Sequence, residues 1–173
     1  LTYKGDSSEV KVAQYSEVRI PRGGEYKVVL PDGTIVWLNA ESSLRFPTLF
    51  TGKERKVYAK GELYFDVKHD DTKPFIVEVE KDYSARVLGT EFNLRAYSGF
   101  PVVTTLVEGK VKVNDQDIVA GEQAVYSKND GKTTVRQVEV EQYVAWQEGT
   151  FVFRNERLEN VMKTLGRWYG VAF

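Results

Sequence analysis

The hydrophobic pattern of the chain has a dominant period of two residues. Leu63, Phe65 and Val67 alternate with Tyr64 and Asp66, for example. Successive side chains of a strand point to opposite faces of a sheet, so this alternation predicts strands with one face in a core. Segments of this kind recur at roughly 8 to 12 residues, a spacing typical of sandwiches and barrels.

Clusters of Gly, Pro, Asn and Asp separate these predicted strands. Such residues tolerate positive φ, preset φ or close a local side-chain hydrogen bond, and they therefore favour turns. The predicted turns are Pro31-Asp32-Gly33, Thr51-Gly52, Lys60-Gly61, residues 69–74, residues 98–101, Glu108-Gly109, residues 114–117 and Asn129-Asp130-Gly131.

The alternation changes phase at Gly89. Before it, the apolar residues Ala85 and Val87 stand at odd-numbered positions, whereas after it Phe92 and Leu94 stand at even-numbered positions. A glycine at such a point predicts a bulge or a bend that resets the register.

Helical patterns of about ten residues do not alternate with the strands, so a parallel sheet with crossover helices is not expected. We predict an all-β fold, an antiparallel β-sandwich over residues 20–150. Residues 1–19 are predicted to be a leading arm or linker.

The pattern changes after Gly149. Phe151-Val152-Phe153 predicts a short strand, and Asn155 is a candidate N-cap for a helix near residues 156–169 that Gly170 ends. Residues 171–173 would begin another strand. Residues 151–173 are thus predicted to be the truncated start of an α+β subdomain. The apolar residues at helical spacing are Leu158, Val161, Met162, Leu165 and Tyr169.

The composition is that of a folded domain without a strong electrostatic field. The chain has 173 residues, of which 42% are hydrophobic and 28% are charged, and its formal net charge is -1. This balance gives no basis for nucleic acid or anionic lipid as a partner.

The chain contains no cysteine, which excludes disulfides, thiolate nucleophiles and cysteine-based zinc sites. It begins at Leu1 and has no run of about 18 apolar residues. We expect a soluble piece, with any signal peptide or membrane anchor upstream.

The candidate catalytic or metal-binding groups have simpler structural interpretations. The single histidine, His69, precedes Asp70 and Asp71 in a predicted turn, where charged residues are usually solvated. Residues 114–117 carry oxygen ligands but lack the later Gly and Glu of a calcium loop, and they predict a hairpin tip. We predict no catalytic, metal or cofactor site.

Four acidic residues on strands could form the carboxylate pair of a glycosidase if they faced each other across a cleft. They are Glu62, Asp66, Glu91 and Glu108, and a solvent-facing position opposite a core residue is the simpler expectation. Aromatic residues could line a surface row, but those in the most apolar strands are predicted to be core: Trp37, Phe65, Phe75 and Phe92.

A series of phrases in matching order and spacing resembles the FecR family and spans roughly residues 20–150. They are residues 21–26, Leu30-Pro31-Asp32-Gly33-Thr34, Val36-Trp37-Leu38-Asn39-Ala40, residues 43–47, Arg55-Lys56-Val57, residues 61–67, residues 73–77, residues 87–94 and residues 104–111. The resemblance implies a sandwich of jelly-roll-like type. Gly61, Gly89 and Gly109 fit positions of positive φ or close backbone approach.

The tail from Trp146 to Tyr169 is similar to the start of that family's second periplasmic subdomain, which is related to the short N-terminal domain of secretins and TonB-dependent receptors. The resemblance implies a non-enzymatic periplasmic sensor region of an inner-membrane anti-sigma factor. Its implied partners are the signalling domain of a TonB-dependent outer-membrane receptor and, through a cytosolic segment outside this chain, a sigma factor. No cofactor is implied.

We expect the receptor's signalling domain to bind the tail by strand addition. The candidate partner-binding residues are Phe151, Val152, Phe153, Trp168 and Tyr169. Two alternatives remain open. One is a carbohydrate-binding β-sandwich with exposed aromatics, and the other is a glycosidase with paired acids in a cleft.

Overall fold

The computed structural model describes residues 14–172, which form two packed β-sheets that share one long strand. The strands are β1 Tyr15–Arg19, β2 Tyr26–Val29, β3 Ile35–Leu38, β4 Ser43–Pro47, β5 Arg55–Asp66, β6 Phe75–Val79, β7 Tyr83–Val87, β8 Glu91–Ala96, β9 Val102–Glu108, β10 Lys110–Val113, β11 Gln116–Val119, β12 Glu122–Tyr126 and β13 Thr133–Gln137. Two α-helices follow, α1 Val140–Val144 and α2 Leu158–Tyr169, with a 3₁₀ turn at Ala145–Glu148 between them.

The first sheet has the order β1-β4-β5-β6-β7-β10-β11, and the second has the order β2-β3-β5-β8-β9-β12-β13. The predicted all-β sandwich is confirmed. Pairing is antiparallel between the described strands except at β5 and β6, which run parallel. Residues 67–74 return the chain from the second sheet to the start of β5, so β6 begins beside Arg55 and runs in the same direction.

Strand β5 passes from one sheet to the other at Gly61. Residues 55–60 pair within the first sheet, and residues 61–66 pair within the second. Gly61 has a φ of 84°, and a Cβ there would lie 2.7 Å from the Cα of Ser42. Only glycine fits this corner without strain, because the backbone conformation and the close approach both exclude a side chain.

Gly89 lies in the bend between β7 and β8. Its φ is not in the left-handed region, but a Cβ there would lie 2.7 Å from the Cα of His69. The chain bends at Gly89 as expected, and glycine is needed there because the backbone passes close to that of His69.

Side chains from both sheets meet in one core. Phe65 stacks on Phe92 at 4.9 Å and contacts Phe75 edge-on at 6.2 Å, which joins the second sheet to the first. All three are fully buried, as predicted. Trp37 was also predicted to be core, but it is half-buried on the outer face of the second sheet, where its ring contacts Tyr64 edge-on at 5.6 Å.

The leading arm predicted over residues 1–19 is corrected in part. Residues 15–19 form β1, an edge strand paired with β4. All five of its residues are exposed or half-buried, so its hydrophobic signal is weak and backbone pairing defines it. Residues 1–13 lie outside the described part of the chain.

The tail differs from its prediction at three points. Residues 151–153 are not a strand; the ring of Phe151 stacks with that of Phe153 at 6.0 Å and meets Trp168 edge-on at 4.8 Å. Asn155 has a φ of 51° and is not the N-cap, because α2 begins three residues later, after Arg157. Residues 171–172 form no strand, and Phe173 lies outside the described residues. A strand needs a neighbouring strand to pair with, and neither segment pairs with one among the described residues.

The helix predicted near residues 156–169 is confirmed as α2, and Gly170 ends it with a φ of 68°. Helix α1 and the 3₁₀ turn were not predicted, because five and four residues are too short to show a helical period. Between residues 14 and 172, neither helix has the length and apolarity that crossing a bilayer requires.

Candidate functional site: a polar cavity beneath the C-terminal segment

The outer face of the second sheet carries buried polar side chains. They alternate with core residues along their strands, as Glu62 does with Leu63 and Asn93 with Leu94. The buried polar residues of this face are Asn39, Glu62, Asn93, Thr105 and Gln123. A polar face of this kind is buried only if another element covers it and satisfies its hydrogen bonds.

The 3₁₀ turn supplies that cover. It places Trp146, which is 4% exposed, against the sheet, and the indole N–H donates to Oδ1 of Asn93 at 2.9 Å. Gln123 donates to the hydroxyl of Thr105 at 2.8 Å and accepts two hydrogen bonds from the guanidinium of Arg136 at 2.9 and 2.7 Å.

A cavity of about 220 Å³ remains between the sheet and the C-terminal segment. Asn39, Glu62, Asn93 and Arg95 form its floor. The C-terminal segment forms the opposite wall with Tyr143, Trp146, Phe151, Val152, Phe153, Asn160 and Thr164.

Glu62 is the buried acidic group of this floor. Burial raises the pKa of its carboxyl above the usual 4.5, and the charges of Arg95 and Arg167 and the amides of Asn39 and Asn93 offset this only in part. The Nε atom of Arg95 lies 3.5 Å from Oε2 of Glu62, longer than the roughly 2.7–2.9 Å of a charge-assisted hydrogen bond. The carboxylate therefore keeps acceptor capacity toward the cavity.

Helix α2 is attached to the sandwich through its polar side. The backbone N–H of Gly23 donates to the carbonyl of Arg167 at 2.6 Å, and Nη2 of Arg22 donates to the carbonyl of Val171 at 2.9 Å. The guanidinium of Arg167 lies 4.0 Å from the ring centroid of Tyr97.

The apolar side of α2 faces away from these contacts. Leu158 is 74% exposed and Tyr169 is 67% exposed, while Val161, Met162 and Leu165 are half-buried. Burying apolar side chains is the usual reason that an amphipathic helix docks on a protein. Here Leu158 and Tyr169 are left uncovered at the two ends of that side.

The predicted partner-binding residues lie on this segment but not on one surface. Phe151, Val152 and Phe153 line the cavity, and Trp168 packs on Phe151. Tyr169 lies on the exposed apolar side of α2.

Sequence reasoning did not assign the floor of the cavity. Asn39, Asn93 and Arg95 were not singled out as site residues, and Glu62 was considered only as part of a carboxylate pair. The available signal was the presence of polar residues at alternate positions of strands whose other positions are strongly apolar.

The four candidate carboxylates lie in two separate places on the second sheet. Glu62 pairs in register with Arg95, whereas Asp66, Glu91 and Glu108 lie together at the other end of the shared strands. Burial, and then the charge of Glu91, raise the pKa of Asp66. Glu91 accepts a hydrogen bond from the hydroxyl of Tyr64 at 2.8 Å. Of the four, only Glu62 lines the cavity.

The other candidates have local roles. The side chain of His69 is 68% exposed, and its Nε2 lies 2.9 Å from Oδ1 of Asp71. Asn114 lies at the predicted hairpin tip between β10 and β11, where its Oδ1 accepts from the backbone N–H of Ser84 at 2.9 Å. Over residues 14–172, no group of three or more His, Asp or Glu side chains is placed to hold a metal ion.

Comparison with known proteins gives two family matches. Residues 16–112 match the family described as FecR protein, and residues 150–173 match the family described as FecR, C-terminal. No curated protein sequence matches the chain.

Two similar crystal structures come from a candidate anti-sigma factor of Parabacteroides distasonis ATCC 8503, solved at 2.50 and 1.65 Å resolution. The first is 31% identical over 91% of this chain and 76% of the other, with a TM-score of 0.83. The second is 32% identical over 90% of this chain and 75% of the other, also with a TM-score of 0.83.

Proposed function

The chain belongs to the FecR family, and from that membership we propose that it is the periplasmic sensor region of a FecR-type transmembrane anti-sigma factor. In this proposal the region receives a signal from an outer-membrane TonB-dependent transducer by protein–protein interaction. The signal reaches an extracytoplasmic-function sigma factor through a cytosolic segment outside this chain.

The two similar crystal structures support the regulatory part of the proposal. Their protein is a candidate anti-sigma factor, and the likeness extends over both the sandwich and the tail, with 91% of this chain covered at 31% identity. Family and relatives are regulators rather than enzymes, and a regulator acts by binding.

The observation that carries the choice of surface is the exposed apolar side of α2. Leu158 and Tyr169 are mostly exposed, although fully burying a side chain of this size is worth roughly 1.5–3 kcal/mol. Since Arg22 and Gly23 hold the helix by its polar side, a partner can cover the apolar side without displacing it.

The mode of binding follows from the same geometry. A strand at residues 151–153 would have offered an edge for strand addition, but these residues form no strand. We therefore propose that the transducer's signalling domain packs an apolar surface on α2, with Leu158 and Tyr169 as contact residues.

The test is a titration of the cognate transducer's signalling domain against the chain. We expect the intact chain to bind and a version ending at Gly149 to lose affinity. Leu158→Asp should weaken binding at least about tenfold, because it places a charge in an apolar contact. Leu49→Asp is the matched control, since Leu49 is a similarly exposed leucine (64%) on the sandwich.

Equal affinity for the intact chain and the version ending at Gly149 would place the partner site on the sandwich. Equal weakening by Leu158→Asp and Leu49→Asp would show that the effect is not specific to α2. Either result contradicts the proposed surface.

A further inference from the structure

The polar cavity is not used by the proposed partner surface, which lies on the other side of α2. Its floor contains Glu62, a residue that is 8% exposed and lines the cavity. A buried carboxylate is costly unless other groups compensate it. Within residues 14–172 the one salt-bridge contact of Glu62 is Arg95, at 3.5 Å, and the amides of Asn39 and Asn93 also hydrogen-bond to its carboxylate. A carboxylate has about four acceptor positions, so Glu62 can still accept from a donor inside the cavity.

The charges around the cavity argue for a neutral donor. Glu62 and Glu156 are the acidic residues of the lining, and Arg95 and Arg136 are the basic ones, so their formal charges cancel. An ammonium group would be attracted by the two acids but repelled by the two guanidinium groups. A carboxylate or phosphate would be attracted by the guanidinium groups but repelled by the acids.

The remaining lining is mixed. The Oδ1 atoms of Asn39 and Asn93 accept from Ala40 and Trp146, and both amides also bond to Glu62. Each amide keeps a second N–H and a second acceptor position for a ligand. Tyr143, Trp146 and Phe151 contribute aromatic carbon on the opposite wall. This combination matches a ring that carries hydroxyl groups at its edge and C–H groups on its faces.

The size of the cavity limits the ligand. Its volume of about 220 Å³ lies below the roughly 300–1,000 Å³ of pockets that bind drug-sized molecules. One ring fits, whereas a chain of rings does not.

We propose that this cavity binds a single neutral, hydroxyl-rich ring of the monosaccharide class, with Glu62 accepting a hydrogen bond from a ligand hydroxyl. Asn39 and Asn93 complete the polar contacts, and the aromatic wall covers the ring. The site is a recess between the sheet and the C-terminal segment and differs from a surface row of aromatics.

The test uses the ¹⁵N-labelled chain of 173 residues and follows the indole N–H resonance of Trp146. The probes are glucose, galactose, mannose and xylose, each titrated separately, with glucuronate and glucosamine as charged comparators. We expect at least one neutral sugar to shift this resonance saturably, and the charged comparators to bind more weakly.

Variants locate the site. Glu62→Gln keeps the shape but removes the charged acceptor, and it should weaken binding about 10- to 100-fold. Tyr143→Ala should also weaken binding and provides a second variant if Glu62→Gln disturbs the fold. Tyr58→Ala is the control, because Tyr58 lies on the first sheet beside Arg45 and away from the cavity; it should leave binding unchanged.

Three outcomes would overturn the proposal. They are no saturable shift with any of the four neutral sugars, stronger binding of a charged comparator, and binding that survives Glu62→Gln and Tyr143→Ala but not Tyr58→Ala. None of these outcomes bears on the transducer titration, because the two experiments test different faces of the C-terminal segment.

Discussion

At the scale of single residues, Arg55 links segments that are distant in sequence. It is 2% exposed, and Nη1 pairs with Oδ2 of Asp32 at 2.8 Å. The guanidinium also donates to the carbonyls of Lys68, Lys73 and Leu88 at 2.6, 2.7 and 3.1 Å. One side chain thus joins the turn after β2, the loop after β5 and the bend before β8.

Replacing Arg55 should therefore destabilise the whole sandwich. Arg55→Ala leaves Asp32 and three carbonyls without their partner, and breaking a buried pair typically costs about 3–5 kcal/mol of unfolding free energy. Urea unfolding measures this cost. Arg19→Ala removes an exposed pair with Glu17 and should give no measurable change. Similar midpoints for both variants would contradict the role assigned to Arg55.

The close approach at Gly89 gives a second prediction. Gly89→Ala brings a Cβ to 2.7 Å from the Cα of His69, and forcing backbone apart in a packed structure costs about 1–3 kcal/mol. Gly52→Ala is the matched control, because no heavy atom lies within 4 Å of its added Cβ and its φ is not left-handed. Thermal unfolding of the two variants makes the comparison.

The imidazole of His69 should account for only part of this effect, because backbone and Cβ atoms of the same residue are also in the way. His69→Ala alone should change stability by less than about 0.5 kcal/mol, because its side chain is largely exposed. It should rescue Gly89→Ala only in part, since it removes the ring Nδ1 at 2.5 Å but leaves the Cα and Cβ of His69 at 2.7 Å from the added Cβ. Full rescue would show that the conflict lies with the ring alone.

Glu62 predicts a pH dependence of stability. Because its pKa is raised in the folded state, the folded chain binds more protons than the unfolded chain above pH 4.5. Linkage then requires the unfolding free energy to fall as pH rises through the raised pKa, with the full penalty present above it. Glu62→Gln lacks this titration.

The stability of Glu62→Gln relative to the wild type should therefore increase from about pH 4.5 to neutral pH, as measured by urea unfolding across that range. Glu54→Gln changes a partly exposed carboxylate in the bend before β5 and serves as the control. A difference between Glu62→Gln and wild type that stays constant with pH would contradict the prediction. Such a cost at a cavity floor is typical of a group kept for binding rather than for stability.

At the scale of elements, α2 is unusual because its polar side holds it in place. Arg22 donates to the carbonyls of Gly166 and Val171 at 3.3 and 2.9 Å, and Gly23 donates to Arg167. These contacts connect the segment before β2 to the last turn of α2 and to the residue that follows Gly170. The position of α2 therefore depends on these hydrogen bonds together with the packing of Trp168 on Phe151 and of Arg167 on Tyr97.

Arg22→Ala should loosen α2 without affecting the sheets. Loss of the two hydrogen bonds from Arg22 should speed amide exchange in residues 166–171 by about tenfold, whereas exchange in β5 and β8 stays unchanged. Hydrogen exchange followed by NMR makes the measurement. Arg86→Ala removes an ion pair with Glu54 on the first sheet and should leave α2 unaffected. Unchanged exchange in α2 of the Arg22 variant would show that other contacts hold it.

At the scale of the whole molecule, the C-terminal segment is attached in two different ways. Residues 140–148 are integral to the sandwich, because Ala145 and Trp146 are buried and Trp146 is hydrogen-bonded to Asn93. Residues 150–172 are held by partly exposed contacts, and Gly166 is the only buried residue of α2.

Two truncations should separate these attachments. A chain ending at Gly149 should lose less than about 1 kcal/mol of unfolding free energy, because few apolar groups are uncovered. A chain ending at Glu139 should lose about 3–5 kcal/mol, the usual cost of deleting a buried Trp. Denaturant unfolding of both measures the difference. Equal stability of the two truncated chains would show that Trp146 does not hold the second sheet's polar face.

The sequence alone determined the class of most strands, of helix α2 and of most of the core. Alternation of apolar and polar residues identified the strands around Leu63 and Phe65, helical spacing identified α2, and Gly61 and Gly109 have the positive φ that their turns require. These features are local. The face that an element buries depends on the period of its own residues.

Only the tertiary structure decided which elements meet and what lies between them. The parallel pairing of β5 and β6, the partners of Arg55 and the lack of a strand at residues 151–153 depend on segments far apart in the chain. The cavity is the clearest case, since Trp146 reaches Asn93 across 53 residues and Glu62 meets Arg95. Local propensity cannot specify such contacts, because they form only when packing of the two sheets and the C-terminal segment brings distant polar groups together.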